Sequence, residues 1–90
     1  MNPTALERLN APGAREGLRE LGTRLEATME FTEGSIEVEL RKIADEKGIK
    51  AGVLINGSRA ALTGQPVGPS AFHVFTALGR PRSLERLKRI

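Results

Sequence analysis

The sequence contains no cysteine and a single histidine, His73. Without cysteine, the chain has no disulfide, no thiolate zinc site and no cysteine nucleophile. With one histidine, it forms neither a metal site built on several imidazoles nor a proton relay between two histidines. His73 lies between Phe72 and Val74, and we interpret it as a structural residue. These absences exclude several common classes of active site.

Tryptophan and tyrosine are also absent, and aromatic residues make up only 3% of the 90 residues. The core must therefore be aliphatic, and a chain of this length has room for one domain. No apolar run approaches the roughly 20 residues that a membrane helix needs. The segment MNPTALERLN has no basic region followed by an apolar run, so no secretory signal is expected. We expect a monomeric, cytoplasmic protein without membrane contact.

Patterns that carry catalysis are missing as well. The acidic pairs Glu37/Glu39 and Asp45/Glu46 do not face one another if they lie on a helix. The segment 52–59 has two glycines at the spacing of a phosphate loop, but it lacks the Gly-Lys-Ser/Thr ending and a preceding strand. We therefore predict no catalytic residue, no metal site and no cofactor in this chain.

Charge is distributed unevenly along the chain. Residues 1–47 contain seven Lys/Arg and ten Asp/Glu, a net charge of −3. Residues 48–90 contain seven Lys/Arg and one Glu, a net charge of +6. The basic half creates a positive potential that attracts polyanions such as nucleic acid or an anionic surface. The charge pattern thus indicates binding rather than catalysis.

The spacing of apolar residues predicts an all-α fold, a compact bundle or cage of five or six short helices with no sheet. A helix over about 13–29 is predicted from four apolar residues, Leu18, Leu21, Leu25 and Met29. A shorter helix near 3–9 is a further expectation. The next helix begins after Thr32, ends at Gly48 and buries Ile36, Leu40, Ile43 and Ala44. Apolar and charged or polar residues alternate over 35–40, a pattern that also suits a strand. Because the buried residues continue at helical spacing beyond this segment, we prefer a helix to a strand there.

Three more helices are predicted in the basic half. The fourth covers about 50–62, with Gly57 unexplained by helix propensity and with Val53, Leu54, Ala61 and Leu62 as core residues. The fifth opens at Gly68-Pro69-Ser70, where proline is favoured near a helix start, and runs to Gly79. The last covers about 81–90; Leu84 and Leu87 face inward, while Arg82, Arg86 and Arg89 share another face.

The turn before the fifth helix is the most informative stretch. Pro66, Gly68 and Pro69 occupy three of four positions. Proline fixes φ and glycine permits positive φ, so this combination imposes an unusual backbone path. Arg59 precedes the turn and brings a planar hydrogen-bonding fork close to it.

Several motifs of the chain occur together in one protein family. They are Phe31-Thr32-Glu33, Ile43–Gly48, Gly48-Ile49-Lys50-Ala51-Gly52, Arg59-Ala60-Ala61-Leu62-Thr63-Gly64, Pro69, Phe72, Ala77-Leu78-Gly79 and Leu84-x-x-Leu87. In this order and spacing they resemble the C-terminal anticodon-binding domain of bacterial glutamyl-tRNA synthetase (glutamate–tRNA ligase). The resemblance covers about residues 14–90, which predicts a lead-in at 1–13 and a helical anticodon-binding domain at 14–90.

The resemblance implies a parent protein that charges tRNA with glutamate and uses ATP and Mg²⁺. The catalytic motifs of that family, which resemble His-Ile-Gly-His and Lys-Met-Ser-Lys-Ser, are absent here. The chain is therefore expected to be a fragment or an isolated domain that holds the anticodon. Its expected partners are the tRNA anticodon stem-loop and the rest of the synthetase.

Seven RNA-binding residues are predicted from this resemblance and from the chemistry of anticodon loops, whose unstacked bases a protein can read. Arg59 is expected to contact a base or a phosphate. The turn of Gly68, Pro69, Ser70 and Ala71 would bring backbone close to a base. Arg82 and Arg86 would attract phosphates, with Arg89 on the same face.

The chain departs from the family pattern near the predicted site. Gly57-Ser58 replaces the usual Pro-Leu before the arginine. Gly68 stands where a small hydroxyl residue is common, and Ala71 where a larger apolar residue is common. These differences favour backbone contacts over side-chain contacts in the turn.

Two alternative functions remain open, a helical protein-interaction module and a DNA-binding module. An interaction module would expose an apolar groove. A DNA reader would carry Arg, Asn or Gln on one exposed helix face, and the last helix offers Arg and Lys without Asn or Gln.

Overall fold

The computed structural model describes residues 2–90, which form six α-helices and, within this range, no strand. The helices are α1 Pro3–Asn10, α2 Ala14–Ala27, α3 Glu33–Lys47, α4 Ala51–Thr63, α5 Ala71–Leu78 and α6 Arg80–Lys88. The prediction of an all-α fold is confirmed. None of these helices combines the length and the apolar character that a membrane crossing requires.

The short helix expected near the N-terminus is present as α1. The Asn2 side chain caps it by accepting from the Thr4 N–H at 2.8 Å, and Pro3 occupies the first helical position, where no N–H is needed. Ala5 and Leu9 are buried, and α1 packs chiefly against α4. The boundary between a lead-in at 1–13 and a domain at 14–90 stays a prediction.

α2 ends two residues earlier than its apolar spacing predicted. At Thr28 the backbone becomes extended, with ψ 145°, and its N–H closes the helix on the Arg24 carbonyl at 3.1 Å. The prediction that Met29 continues this helix was wrong: Met29 lies beyond its end, and its side chain is 98% exposed. The chain leaves helical geometry one residue before Met29, so the residue no longer follows the buried face of Leu18, Leu21 and Leu25.

α3 agrees with the prediction at both ends and on its buried face. Thr32 and Ser35 form a reciprocal capping box, in which each backbone N–H donates to the other side-chain oxygen at 3.0 to 3.1 Å. Gly48 ends the helix with φ 67°. The predicted stripe of Ile36, Leu40, Ile43 and Ala44 is buried.

An exposed ion pair joins α2 to α3. Arg24 donates from Nη1 and Nη2 to the two carboxylate oxygens of Glu46 at 2.9 and 2.8 Å, and from Nε to Glu20 at 3.3 Å. The hydrogen bonds from Arg24 lower the pKa of Glu46, and those to Glu46 raise the pKa of Arg24. A bidentate arrangement of this kind is the strongest form of surface ion pair.

α4 lies at the centre of the fold and contacts each of the other five helices. Leu54 and Leu62 are buried as predicted, whereas Val53 and Ala61 are only partly buried. The inward face also contains Ser58, which is completely buried and whose hydroxyl has no hydrogen-bond partner among residues 2–90. This face of α4 is therefore built largely from small residues, which allow neighbouring helices to approach.

Two glycines explain the close contact between α4 and α2. A Cβ on Gly17 of α2 would lie 2.5 Å from Leu54 Cδ2. A Cβ on Gly57 of α4 would lie 3.1 Å from Leu18 Cδ1. Gly57, which helix propensity did not explain, is thus accounted for by the packing of α4 on α2.

Phe75 of α5 is fully buried and lies at a second packing contact, between α5 and the connection of α2 to α3. Phe31, in the α2–α3 connection, packs edge-on against it, with ring centroids 6.4 Å apart and an interplanar angle of 78°. The Arg80 guanidinium lies 5.4 Å from the Phe31 ring centroid and donates to the Met29 carbonyl at 3.3 Å. These contacts hold the α2–α3 connection against the junction of α5 and α6.

Replacing the two buried glycines of α2 by alanine is expected to have opposite effects. Gly17→Ala forces a Cβ into Leu54 and should lower the free energy of unfolding by about 1–3 kcal/mol, the usual cost of overpacking. Gly22→Ala places its Cβ 3.5 Å from Leu87 Cβ, an ordinary contact, and should raise stability by up to about 1 kcal/mol through helix propensity. Urea unfolding measures both changes, and equal effects would contradict this account of the packing.

The Arg24–Glu46 pair is expected to make stability depend on pH. Because the folded state lowers the pKa of Glu46, the pair stabilises fully above the unfolded-state pKa near 4.5, and this contribution is lost as pH falls through the lower folded-state value. Glu46→Gln should therefore lower the urea midpoint at about pH 7 and have little effect at about pH 2. Glu30→Gln, at a carboxylate without an ion pair among residues 2–90, is the control. Equal midpoint shifts at both pH values for Glu46→Gln would contradict the prediction.

Candidate nucleic-acid interface

Arg59 lies one turn before the end of α4, and its guanidinium is held on two sides. Nε donates to the Pro69 carbonyl at 3.3 Å, and Nη1 donates to Asn56 Oδ1 at 3.1 Å. The side chain is therefore directed onto the turn that follows α4. Asn56 was not identified from the sequence; its position three residues before Arg59 on one helix was the available signal.

Local hydrogen bonds tie down the end of α4. Thr63 Oγ1 donates to the Arg59 carbonyl at 2.8 Å and accepts from the Gln65 N–H at 3.1 Å. Gly64 ends the helix with φ 73°, and its N–H donates to the Ala60 carbonyl at 2.8 Å. The turn therefore leaves α4 in a defined direction.

Gly68, Pro69 and Ser70 are exposed and connect the turn to α5. Gly68 has φ 147°, a conformation that L residues rarely adopt, although a Cβ there would meet open space. Ser70 is the N-cap of α5 but makes no side-chain capping hydrogen bond. The first N–H groups of α5 therefore receive no capping hydrogen bond from the Ser70 side chain.

Ala71 is the one predicted turn residue that the structure buries, with 1% of its surface exposed. It presents almost no area to a ligand, and its membership of the site stays a prediction. Val67, in the same turn, is 76% exposed. An apolar side chain in a turn carries no chemical signature of its own, so the sequence did not predict this exposed residue.

The three arginines predicted to share one face have different surroundings. Arg82 is exposed and has no hydrogen-bond or ion-pair partner among residues 2–90. Arg86 donates from Nη1 to the Leu62 carbonyl at the end of α4. Arg89 follows α6 and pairs with Glu85. Of the three, Arg82 is thus the unrestrained cation, and Arg86 links α6 to α4.

Two of the predicted arginines, Arg59 and Arg86, make hydrogen bonds near the C-terminal end of α4. Arg59 donates from within this helix to the Pro69 carbonyl in the turn, and Arg86 donates from α6 to the Leu62 carbonyl in the last turn of α4. Arg82 lies four residues before Arg86, about 6 Å along the axis of α6. The groups gathered here are cations and N–H donors, a set that suits the recognition of base edges and phosphates.

Comparison with known proteins agrees with this chemistry. Residues 2–90 match the family described as the anticodon binding domain. The chain is 54% identical over 89 residues to glutamate–tRNA ligase 2 of Koribacter versatilis, 42% over 80 residues to glutamate–tRNA ligase of Desulfotalea psychrophila and 46% over 72 residues to that of Thermus thermophilus. These alignments cover 98, 89 and 80% of this chain but only 18, 16 and 15% of the relatives.

The chain therefore spans less than a fifth of the length of these relatives. The match nevertheless covers nearly all of its own residues, including Arg59 and the turn. The resemblance inferred from the motifs is confirmed, and the chain belongs to the family of anticodon-binding domains.

Proposed function

We propose that this chain binds the anticodon loop of glutamate tRNA as part of a glutamate–tRNA ligase. One observation carries the proposal: Arg59 is held between Asn56 and the Pro69 carbonyl, beside an exposed turn rich in glycine and proline. An arginine fixed in this way meets the requirements of a base reader better than those of a general surface cation.

Arg59 has hydrogen-bonding capacity left for a ligand. A guanidinium carries five N–H donors, and two of them are used within the chain, which leaves three. Because Asn56 and Pro69 hold the fork in place, little rotamer freedom is lost when it binds a base. In this proposal Arg59 donates to the edge of an unstacked anticodon base.

The turn complements Arg59 through its backbone. Gly68 has no side chain to keep a base away, and Pro69 offers an apolar ring face. The start of α5, which lacks a side-chain cap, offers N–H donors to a base oxygen or a phosphate. Ser70 borders these donors, and Ala71 supports them from inside the fold. These contacts need neither the hydroxyl nor the larger apolar side chain that the family pattern usually has here.

The remaining contributions are electrostatic and come from outside the turn. Arg82 and Arg86 attract phosphates regardless of sequence. The aminoacylation reaction, with its ATP and Mg²⁺, belongs to parts of the ligase outside these 90 residues, and we assign no catalytic group to this chain. We further propose that it works in the cytoplasm, next to the rest of the synthetase and without self-association.

The 90-residue chain is expected to bind glutamate tRNA weakly, with an affinity that falls steeply with salt. The net charge of +6 in residues 48–90 displaces counterions from the RNA, and their release is less favourable at high salt. Titration of labelled tRNA at about 50 and 200 mM salt tests this, with duplex DNA as the control. Affinity that is independent of salt, or equal affinity for duplex DNA, would contradict the proposal. Neither aminoacylation nor ATP–pyrophosphate exchange is expected from this chain.

Substitutions of Arg59 and Arg82 by alanine are expected to weaken RNA binding in different ways, one dependent on the anticodon sequence and the other independent of it. Arg59→Ala removes a base contact, should cost about 1–3 kcal/mol of binding and should depend on the base present in the loop. Arg82→Ala removes a phosphate attraction, should weaken binding to every anticodon about equally and should reduce the salt slope by about one unit.

The measurement is the affinity of each variant for wild-type and anticodon-substituted stem-loops. Thermal unfolding checks that both variants remain folded. If Arg59→Ala weakens binding to all anticodons by the same factor, its role as a base reader is wrong.

A further inference from the structure

A groove of about 840 Å³ lies between α1, the end of α4 and α6. Its walls carry Arg15, Arg86 and Arg89, and no Asp or Glu side chain lines it within residues 2–90. We call it the arginine groove. Its volume lies in the range of ligand-binding sites, about 300–1,000 Å³.

Two of its arginines are held in place by neutral acceptors. Arg15 donates to Asn10 Oδ1 at 3.1 Å, and Arg86 donates to the Leu62 carbonyl. These hydrogen bonds restrict the side chains without neutralising their charge. Arg89 pairs with Glu85 at the surface, where an ion pair contributes little and is readily exchanged for another anion. The groove therefore presents oriented positive charges that can bind an anionic ligand.

Apolar surface accompanies the cations. Leu6 lines the groove and is 45% exposed, and Leu9 lies below it, almost fully buried. A bare inorganic anion would leave this apolar surface unused. A ribonucleotide chain combines phosphates with the flat faces of ribose and base, and so matches both parts of the groove.

The arginine groove adjoins the proposed anticodon contact. Thr63, Gly64 and Gln65 form its edge and also begin the turn that Arg59 braces. Thr63 lies four residues after Arg59, about 6 Å along the axis of α4. A strand whose base meets Arg59 can therefore continue over the end of α4 into the groove.

We propose that the arginine groove binds the sugar–phosphate backbone of the tRNA strand adjoining the anticodon, with Arg15 and Arg89 as phosphate contacts. This inference rests on the proposed function, and it adds α1 and the start of α2 to the RNA interface. The occupant is RNA rather than another protein segment, because three arginines in a groove that no Asp or Glu lines within residues 2–90, next to the proposed base-reading turn, favour a polyanion.

The test uses Arg15→Gln, Arg89→Gln and the double variant in the 90-residue chain. The matched control is Arg41→Gln, at an exposed arginine of α3 outside the groove that also pairs within its own helix, with Glu37. The probe is a labelled anticodon stem-loop of glutamate tRNA. Each groove variant should weaken binding by about threefold or more at low salt, and the double variant should reduce the salt slope by about 1.4, or 0.7 for each phosphate. Neither effect should depend on the anticodon sequence, and Arg41→Gln should bind as the wild type does.

A second measurement avoids any effect of the substitutions on folding. Stem-loops carrying one neutral methylphosphonate linkage at a time are titrated with wild-type chain. Linkages next to the anticodon should weaken binding, and the double variant should be insensitive to the same linkages.

The outcomes separate this inference from the proposed function. If the double variant and the neutral linkages leave affinity and salt slope unchanged while Arg59→Ala remains base-dependent, the groove inference is wrong and the proposed function stands. If the wild-type chain does not bind the stem-loop at all, both are wrong. If the double variant loosens the domain in limited proteolysis of the parent ligase without changing RNA affinity, the groove contacts protein and the inference is overturned.

Discussion

The close approach of α4 to α2 is the constraint on which the rest of the structure depends. Leu54 of α4 fills the space above Gly17, and Leu18 of α2 fills the space beside Gly57, so each helix supplies one leucine and one glycine. Helices that interlock in this way have essentially one relative position, because packed interiors leave little room for adjustment. Since α4 contacts all the other helices, its position sets theirs.

The C-terminal end of α4 shows how this packing produces a site. Carbonyl groups at a helix end lack partners within the helix and must find others. Here Arg86 of α6 donates a hydrogen bond to the Leu62 carbonyl. The N–H of Asn2, just before α1, donates to the Gly64 carbonyl at 3.2 Å. The Thr63 hydroxyl, at the same helix end, donates to the Arg59 carbonyl one turn earlier. The surface that we propose for RNA is thus assembled from three separate parts of the chain at one helix end.

The arginines of this domain are held by two kinds of partner, carboxylates and neutral oxygens. In α2 and α3, Arg24 pairs with Glu20 and Glu46, and Arg41 pairs with Glu37. In the basic half, arginines more often use neutral acceptors, such as the Pro69 and Leu62 carbonyls. A neutral acceptor orients a guanidinium but leaves its charge available. The same residue type therefore stabilises the α2–α3 contact at Arg24 and, where its acceptor is neutral, as at Arg15 and Arg59, keeps its charge available for a polyanion.

Local sequence by itself determined most of the helices, the capping of α3 by Thr32 and Gly48, and the position of the turn, because propensity, capping and φ preferences act within a few residues. Motifs in the sequence also identified the family. Only the tertiary structure decided that Met29 is exposed, that Gly57 is required by α2, and that Asn56 and Pro69 hold Arg59. These features depend on which distant segments meet. Helix periodicity specifies which face is apolar, but it does not specify what packs against that face.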